Sequence, residues 1–304
     1  MTVAADTMTA VDESPWIRAM PALFVLIWST GFIVARYGMP HAPPMTFLAW
    51  RYALSLGCFG LWIALARVAW PRGRAQWGHL AVTGILMHAG YLGGVWAAVK
   101  AGMGAGLSAL IVGLQPVLTA VWLSATGARV LARQWLGLAL GLAGLVLVVS
   151  HKFGAGGPGD TATALNLALA VAALLSITVG TLYQKRFLQP CDVRTANTVQ
   201  LGAALLVTLP LAWLENEAMH WNAESAAAMA WSVLGLTLGG SSLLYLLIQR
   251  GAAASVSSLM YLVPPCTAFM AWLLFGEPIT LATVGGTALT VLGVAMVVRG
   301  GRSR

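Results

Sequence analysis

Polar side chains inside apolar runs are where this chain could do chemistry. His88 lies about eleven residues into such a run, roughly 16 Å deep at about 1.5 Å per residue. Tyr91 follows at i+3, on the same helical face. An imidazole titrates near neutrality, so the pair could hold substrate or carry a proton. The plainer alternative is a neutral ring bonded to a neighbouring helix. Two further stripes occur at helical spacing: Ser242, Tyr245 and Gln249, then Ser257, Tyr261 and Pro264. Hydroxyls so placed suit the wall of a pore, and serve equally as glue between helices. Gln115-Pro116 and Pro264-Pro265 interrupt two apolar runs at related places. A proline withholds a backbone donor and frees the carbonyl one turn earlier, so Pro116, Pro264 and Pro265 read as hinges beside a cavity. Trp28 and Phe32 form an aromatic stripe, as core packing or as cavity lining.

Arg51 lies about 9 Å inside the end of its run. Its stem is long enough to snorkel to the interface, which assigns it a structural role. All nine acidic residues fall near run ends or in connectors: Asp6, Asp12, Glu13, Asp160, Asp192, Glu215, Glu217, Glu224 and Glu277. If protons are coupled, His88 is the one good mid-run candidate. With few cations facing inward, a strongly anionic substrate is disfavoured unless Arg51 or Lys100 turns toward the cavity. Cys58, Cys191 and Cys266 are far apart with no CxxC or histidine neighbour. Neither a metal site, a disulfide framework nor a cofactor is expected. No HExxH, GxSxG or deep aspartate pair is present, which sets an intramembrane enzyme far down the ranking.

The elements that position these residues follow from composition. Of 304 residues, 59% are apolar and 9% charged, with mean hydropathy +0.81. Such a chain cannot cover itself with polar surface, so lipid is its solvent. A membrane span takes about 20 mostly apolar residues. Ten runs qualify, at about Ile17–Arg36, Met45–Ala66, Trp77–Val99, Met103–Ser124, Leu131–Val149, Ala162–Gln184, Asn197–Leu214, Ser225–Ile248, Ala252–Phe275 and Thr280–Val298. Trp16, Trp77 and Trp221 at run ends read as interface anchors.

The chain also repeats itself. Shifted by 149 positions, residues 99–149 fall ungapped on 248–298, with 12 of 51 identical. Gly102 meets Gly251, Ser108 meets Ser257, and Pro116 meets Pro265. Gly137 meets Gly286 and Gly144 meets Gly293, while the same offset sets Arg51 against Gln200. The glycines at 137 and 141, and at 102 and 106, read as close-packing sites. Residues 17–150 and 162–298 are thus two five-helix repeats, joined by a Gly-rich connector at 151–161 and flanked by tails at 1–16 and 299–304.

Charge gives the orientation. With the N-terminus inside, 13 of the 17 Lys and Arg fall in inside segments, 3 outside, and Arg51 within a span. Both termini are therefore expected in the cytoplasm of a bacterial-type inner membrane. The net charge of +8 and pI of about 9.9 then reflect topology rather than nucleic-acid binding. Five spans per copy is an odd number, so the second copy enters upside down. The expected fold is an all-α membrane protein of ten transmembrane helices in two inverted five-helix repeats, with a site between them near mid-membrane.

Trp28-Ser29, Arg51-Tyr52, Pro116 and Pro265, then Gly276-Glu277, Gly286 and Gly293, occur in an order that resembles the drug/metabolite transporter superfamily, in its ten-span EamA-like branch. One departure is Gly127-Ala128 in the first copy, where the second has Gly276-Glu277. The resemblance implies a secondary carrier, often an exporter of amino acids or other small metabolites. The expected partners are a small-molecule substrate and the lipid bilayer, with no nucleic acid; neither substrate nor oligomeric state is named. The candidate substrate-binding residues are Trp28, His88, Tyr91, Gln115, Ser242, Tyr245, Ser257 and Tyr261. The alternative is a facilitative channel or exchanger for small solutes.

Overall fold

A backbone in hydrocarbon must satisfy its own N–H and C=O groups, and helices do so within one segment. The computed structural model describes residues 15–126, 131–153, 160–240, 242–243 and 260–300. Among them there are helices and one isolated bridge, Phe153 to Ala162, with no strand. The helices are α1 (Pro15–Gly38), α2 (Pro44–Ala66) and α3 (Arg74–Lys100), then α4 (Ala105–Val112), α5 (Gln115–Ala125) and α6 (Ala132–Lys152). The second half has α7 (Ala164–Phe187), α8 (Val193–Trp213), α9 (Ala223–Ala230), α10 (Val263–Phe275) and α11 (Leu281–Gly300). Among the described residues seven stretches are long and apolar enough to cross a membrane, and α10 and α11 are shorter apolar helices. Leu61, Leu65, Val146, Leu206 and Leu234 point outward, more than half exposed. A water-facing surface would not carry such a belt.

Two helices change pitch. The middle of α3, Ile85–Leu92, is π-helical, and α9 runs on as a π-helix over Trp231–Gly240. The 149-residue offset lays one upon the other. A wider turn loosens the backbone, and hydroxyls take up the freed carbonyls. Ser176 donates to the Leu86 carbonyl (2.8 Å), Tyr52 to that of His88 (2.8 Å), and Thr237 to that of Ser232 (2.8 Å). Such turns recur at functional sites.

On the face where α1 ends, the far face, carboxylates of the second half cap helices of the first. Proline opens α2, which has no side-chain cap of its own. The Glu215 carboxylate accepts from the Met45 and Thr46 amides, both at 2.8 Å. Glu277 does the same for α4, accepting from Ala105 (2.8 Å) and Gly106 (3.3 Å). Negative charge is favourable at both helix starts. Burial, and then the Asp160 charge, push the Glu277 carboxyl above its ordinary value, against these amides and Lys152. Lys100 turns outward to the Met39 carbonyl and to Glu217. Gly102 has φ +92° with open space around it, so it makes a turn rather than a close contact; Gly106 does pack, against Ala268.

To one side α6 and α11 form an extensive pair. A Cβ on Gly144 would sit 2.3 Å from the Gly286 carbonyl oxygen, and one on Gly293 2.3 Å from that of Gly137. These two contacts exchange under the repeat offset, as antiparallel crossing of equivalent helices requires. Between them Thr290 donates to the carbonyl of Gly141, its own repeat equivalent, at 3.3 Å. Gly144→Val must push the helices apart, and we expect a loss of about 1–3 kcal/mol. A melting temperature in detergent equal to that of the parent would refute this packing.

Candidate functional site

The two π-helical stretches face each other across the middle of the molecule and make the site. A cavity of about 110 Å³ lies between α1, α2, α3, α7 and the π-helix of α9. Trp28, Phe32, His88 and Tyr91 line it, with Arg51 and Thr237. A second chamber, about 70 Å³, shares Trp28, Phe32, Tyr91 and Ile177 with the first and adds Gln115 and Pro116. Trp28, His88, Tyr91 and Gln115, singled out from the sequence, thus sit on one pair of adjoining chambers.

Arg51 departs from the sequence reading. It does not snorkel: the residue is 7% exposed and its guanidinium lines the cavity. The physical reason is enclosure. α2 packs against α8 and against the π-helix of α9, which leaves the side chain no route along a lipid-facing surface. Its Nε donates to Thr237 Oγ1 at 3.2 Å. No carboxylate meets it among the described residues.

The contacts around Arg51 have a twofold logic. The repeat offset sends Arg51 to Gln200 and His88 to Thr237. Arg51 donates to Thr237, and Gln200 stands close enough to His88 to act on its ring. The two polar contacts are equivalents of each other, one from each half. Met87 and Leu236 are likewise equivalents on the cavity wall, as are Trp28 and Ile177. The site is therefore built on the pseudo-twofold axis, and its fixed charge departs from symmetry, since the first half has a cation where the second has an amide.

Pro116 is in the first turn of α5, and Pro264 in that of α10. There the missing N–H leaves no helical bond unmade. The break itself lies just before, at Gly113 and Leu114 in the first half and in the 3₁₀ turn Met260–Leu262 in the second. The two breaks meet, since a Cβ on Gly113 would come within 2.9 Å of the Pro264 ring. Pro116 is the residue whose amide would have served the Val112 carbonyl, and Val112 lines the second chamber. Pro265 follows in the same first turn of α10.

Ser242 is described and half-buried, away from the lining of either chamber. Tyr245, Gln249 and Ser257 lie outside the described residues, as does the side chain of Tyr261. Sequence reasoning missed Thr237; applying the repeat offset to His88 would have found it.

A family model described as the EamA-like transporter family matches residues 17–150 and again 165–299. The chain is 25% identical over 283 residues to an uncharacterized transporter, YvbV, of Bacillus subtilis, covering 91% of this chain and 89% of that one. It is 25% identical over 293 residues to a probable amino-acid metabolite efflux pump of Salmonella typhimurium, covering 93% and 94%. A crystal structure at 21% identity superposes with a TM-score of 0.61, over 91% of this chain and 95% of the other, a likeness of fold.

Proposed function

This chain belongs to the EamA-like transporter family, and from that premise we propose that it exports small metabolites related to amino acids by alternating access around the Arg51–His88 cavity. In this reading it has ten spans, in units 17–150 and 162–298 joined by 151–161, with both termini in the cytoplasm. The far face then points outward. The observation that carries the reading is the exchange of Arg51–Thr237 with His88–Gln200 across one cavity. Halves that present equivalent contacts in opposite orientations give two states of similar energy, one open to each side. Outward opening must part the contacts that join the halves there: Glu215 with the start of α2, Glu277 with that of α4, and Lys100 with Glu217. Inward opening must part Gln76 from the Gln189 backbone, joined by bonds of 2.9 and 3.2 Å. The name of the Salmonella relative supports the substrate class.

Cells overproducing the protein are screened for resistance to toxic amino-acid analogues, both free and N-acylated. Resistance is expected to at least one, with lower retained analogue. His88→Ala, at equal membrane abundance, is expected to lower the efflux rate several-fold through loss of the Gln200 contact and of cavity shape. Full efflux by the variant would remove His88 from the site, and no resistance across the panel would remove export.

A further inference from the structure

The cavity has a cation and no anion. Arg51 faces the space with a hydrogen-bonding flank of Thr237 and His88, and Trp28, Phe32 and Trp96 supply apolar wall. None of the six acidic residues among the described residues lines it. Asp160, Asp192, Glu215, Glu217, Glu224 and Glu277 lie in connectors or at helix starts, and five of them are already bonded at the far face. Asp6, Asp12 and Glu13 precede α1, and the sequence from 241 to 259 has no acid.

Two consequences follow. A carboxylate entering this space meets a planar fork of donors and cancels a charge that otherwise has no partner. An ammonium group entering beside it meets no counter-charge, is repelled by the guanidinium, and has only ring faces to rest on. The site therefore accepts one half of an amino acid and rejects the other. The second consequence concerns energy. No carboxylate lies within a described span to ferry a proton or sodium ion against the substrate. An anion leaving a cell whose interior is negative moves down the electrical gradient without one.

We propose that the carrier exports organic monoanions, one carboxylate on an apolar body with no fixed positive charge, and that each cycle moves that single charge uncompensated. This deepens the export reading above and rests on it. The charge balance is one negative charge out and no ion in return, so the membrane potential sets direction and extent.

Purified protein in liposomes, with the potential set by potassium gradients and valinomycin, is given labelled N-acetyl-L-phenylalanine, which has a carboxylate alone, or L-phenylalanine, which has both charges. Saturable flux of the N-acetyl compound is expected, accumulating about tenfold on the positive side for each 59 mV. A pH gradient at zero potential is expected to leave it unmoved, and L-phenylalanine to move at least tenfold more slowly. Arg51→Gln should erase the preference between the two. Equal rates for both compounds, or accumulation that follows the pH gradient, overturns the inference and leaves the carrier standing. No saturable flux of either compound overturns both.

Discussion

Arg51→Leu is expected to lower export by roughly 10- to 150-fold at low substrate concentration while leaving the folded protein as stable as before, or more so. The two halves of that result come from one fact. Arg51 is a charge 7% exposed whose hydrogen bond among the described residues is to the Thr237 hydroxyl, at 3.2 Å. Taking a charge out of water without a partner costs folding energy, so replacing it by an apolar side chain of similar reach relieves the protein. A charge-assisted hydrogen bond to a bound anion contributes about 1.5–3 kcal/mol, which is about 10- to 150-fold in affinity. Arg51→Lys keeps the charge and loses the planar fork, so it should fall between parent and leucine. Thr237→Val should weaken binding by less, since it only frees the guanidinium to turn. The discriminating pair of measurements is the melting temperature in detergent and the rate of efflux at limiting substrate. A residue kept for structure would move the first; we expect only the second to move. Arg51→Leu protein that melts well below the parent, with unchanged flux once corrected for folded amount, would return the arginine to a structural role.

Why the sequence misplaced this residue is itself physical. Depth was readable: about 9 Å from a span end lies within reach of a snorkelling arginine. Direction was not, because it depends on which helices stand on either side of α2, and no periodicity states that. The offset of 149 residues contained part of the answer. It set Arg51 against Gln200, and the same arithmetic sets His88 against Thr237, so the four polar groups of the site were already paired on paper. What the arithmetic lacked was the crossing, that Arg51 meets the repeat equivalent of His88 and His88 that of Arg51. The glycines were easier. Gly137, Gly144, Gly286 and Gly293 recur at matching places, and a side chain at 144, 286 or 293 collides with the facing helix. The prolines were half legible: the ring forbids a helical bond wherever it sits, but the sequence does not say where the preceding helix has already stopped. The π-helical turns had no signal of their own. They follow from the glycines at 84 and 90, which let α3 press onto the backbone of α8 and the hydroxyl of Ser176. The caps at Glu215 and Glu277 are long-range contacts, invisible to any rule that searches for a cap within four residues of the helix it serves.

The far face offers the largest expected effects on stability, at the pair Asp160 and Lys152. Lys152 Nζ stands 2.6 Å from both carboxylate oxygens of Asp160, and the two side chains are 7% and 4% exposed. In the charge count, Lys152 is one of the three cations placed outside, in the connector at 151–161. The structure folds that connector inward: Thr161 donates to the Gly102 carbonyl at 3.0 Å and Ala162 to that of Lys152 at 3.1 Å. Breaking a buried pair by removing one partner strands the other, and typically destabilises by about 3–5 kcal/mol. Asparagine at 160 keeps shape and an acceptor, so about 3 kcal/mol is the expectation there. Lys152→Met should reach the upper end, because it leaves Asp160 beside Glu277, two carboxylates converging on Gly104 with no cation between them. Removing both charges together, in Lys152→Met with Asp160→Asn, should restore much of the loss, since no charge is then stranded. That non-additivity distinguishes a true pair from two separately important residues. Thermal or denaturant unfolding in detergent reads all three variants. If Asp160→Asn unfolds where the parent does, the pair is solvated and contributes nothing to holding this end of the molecule.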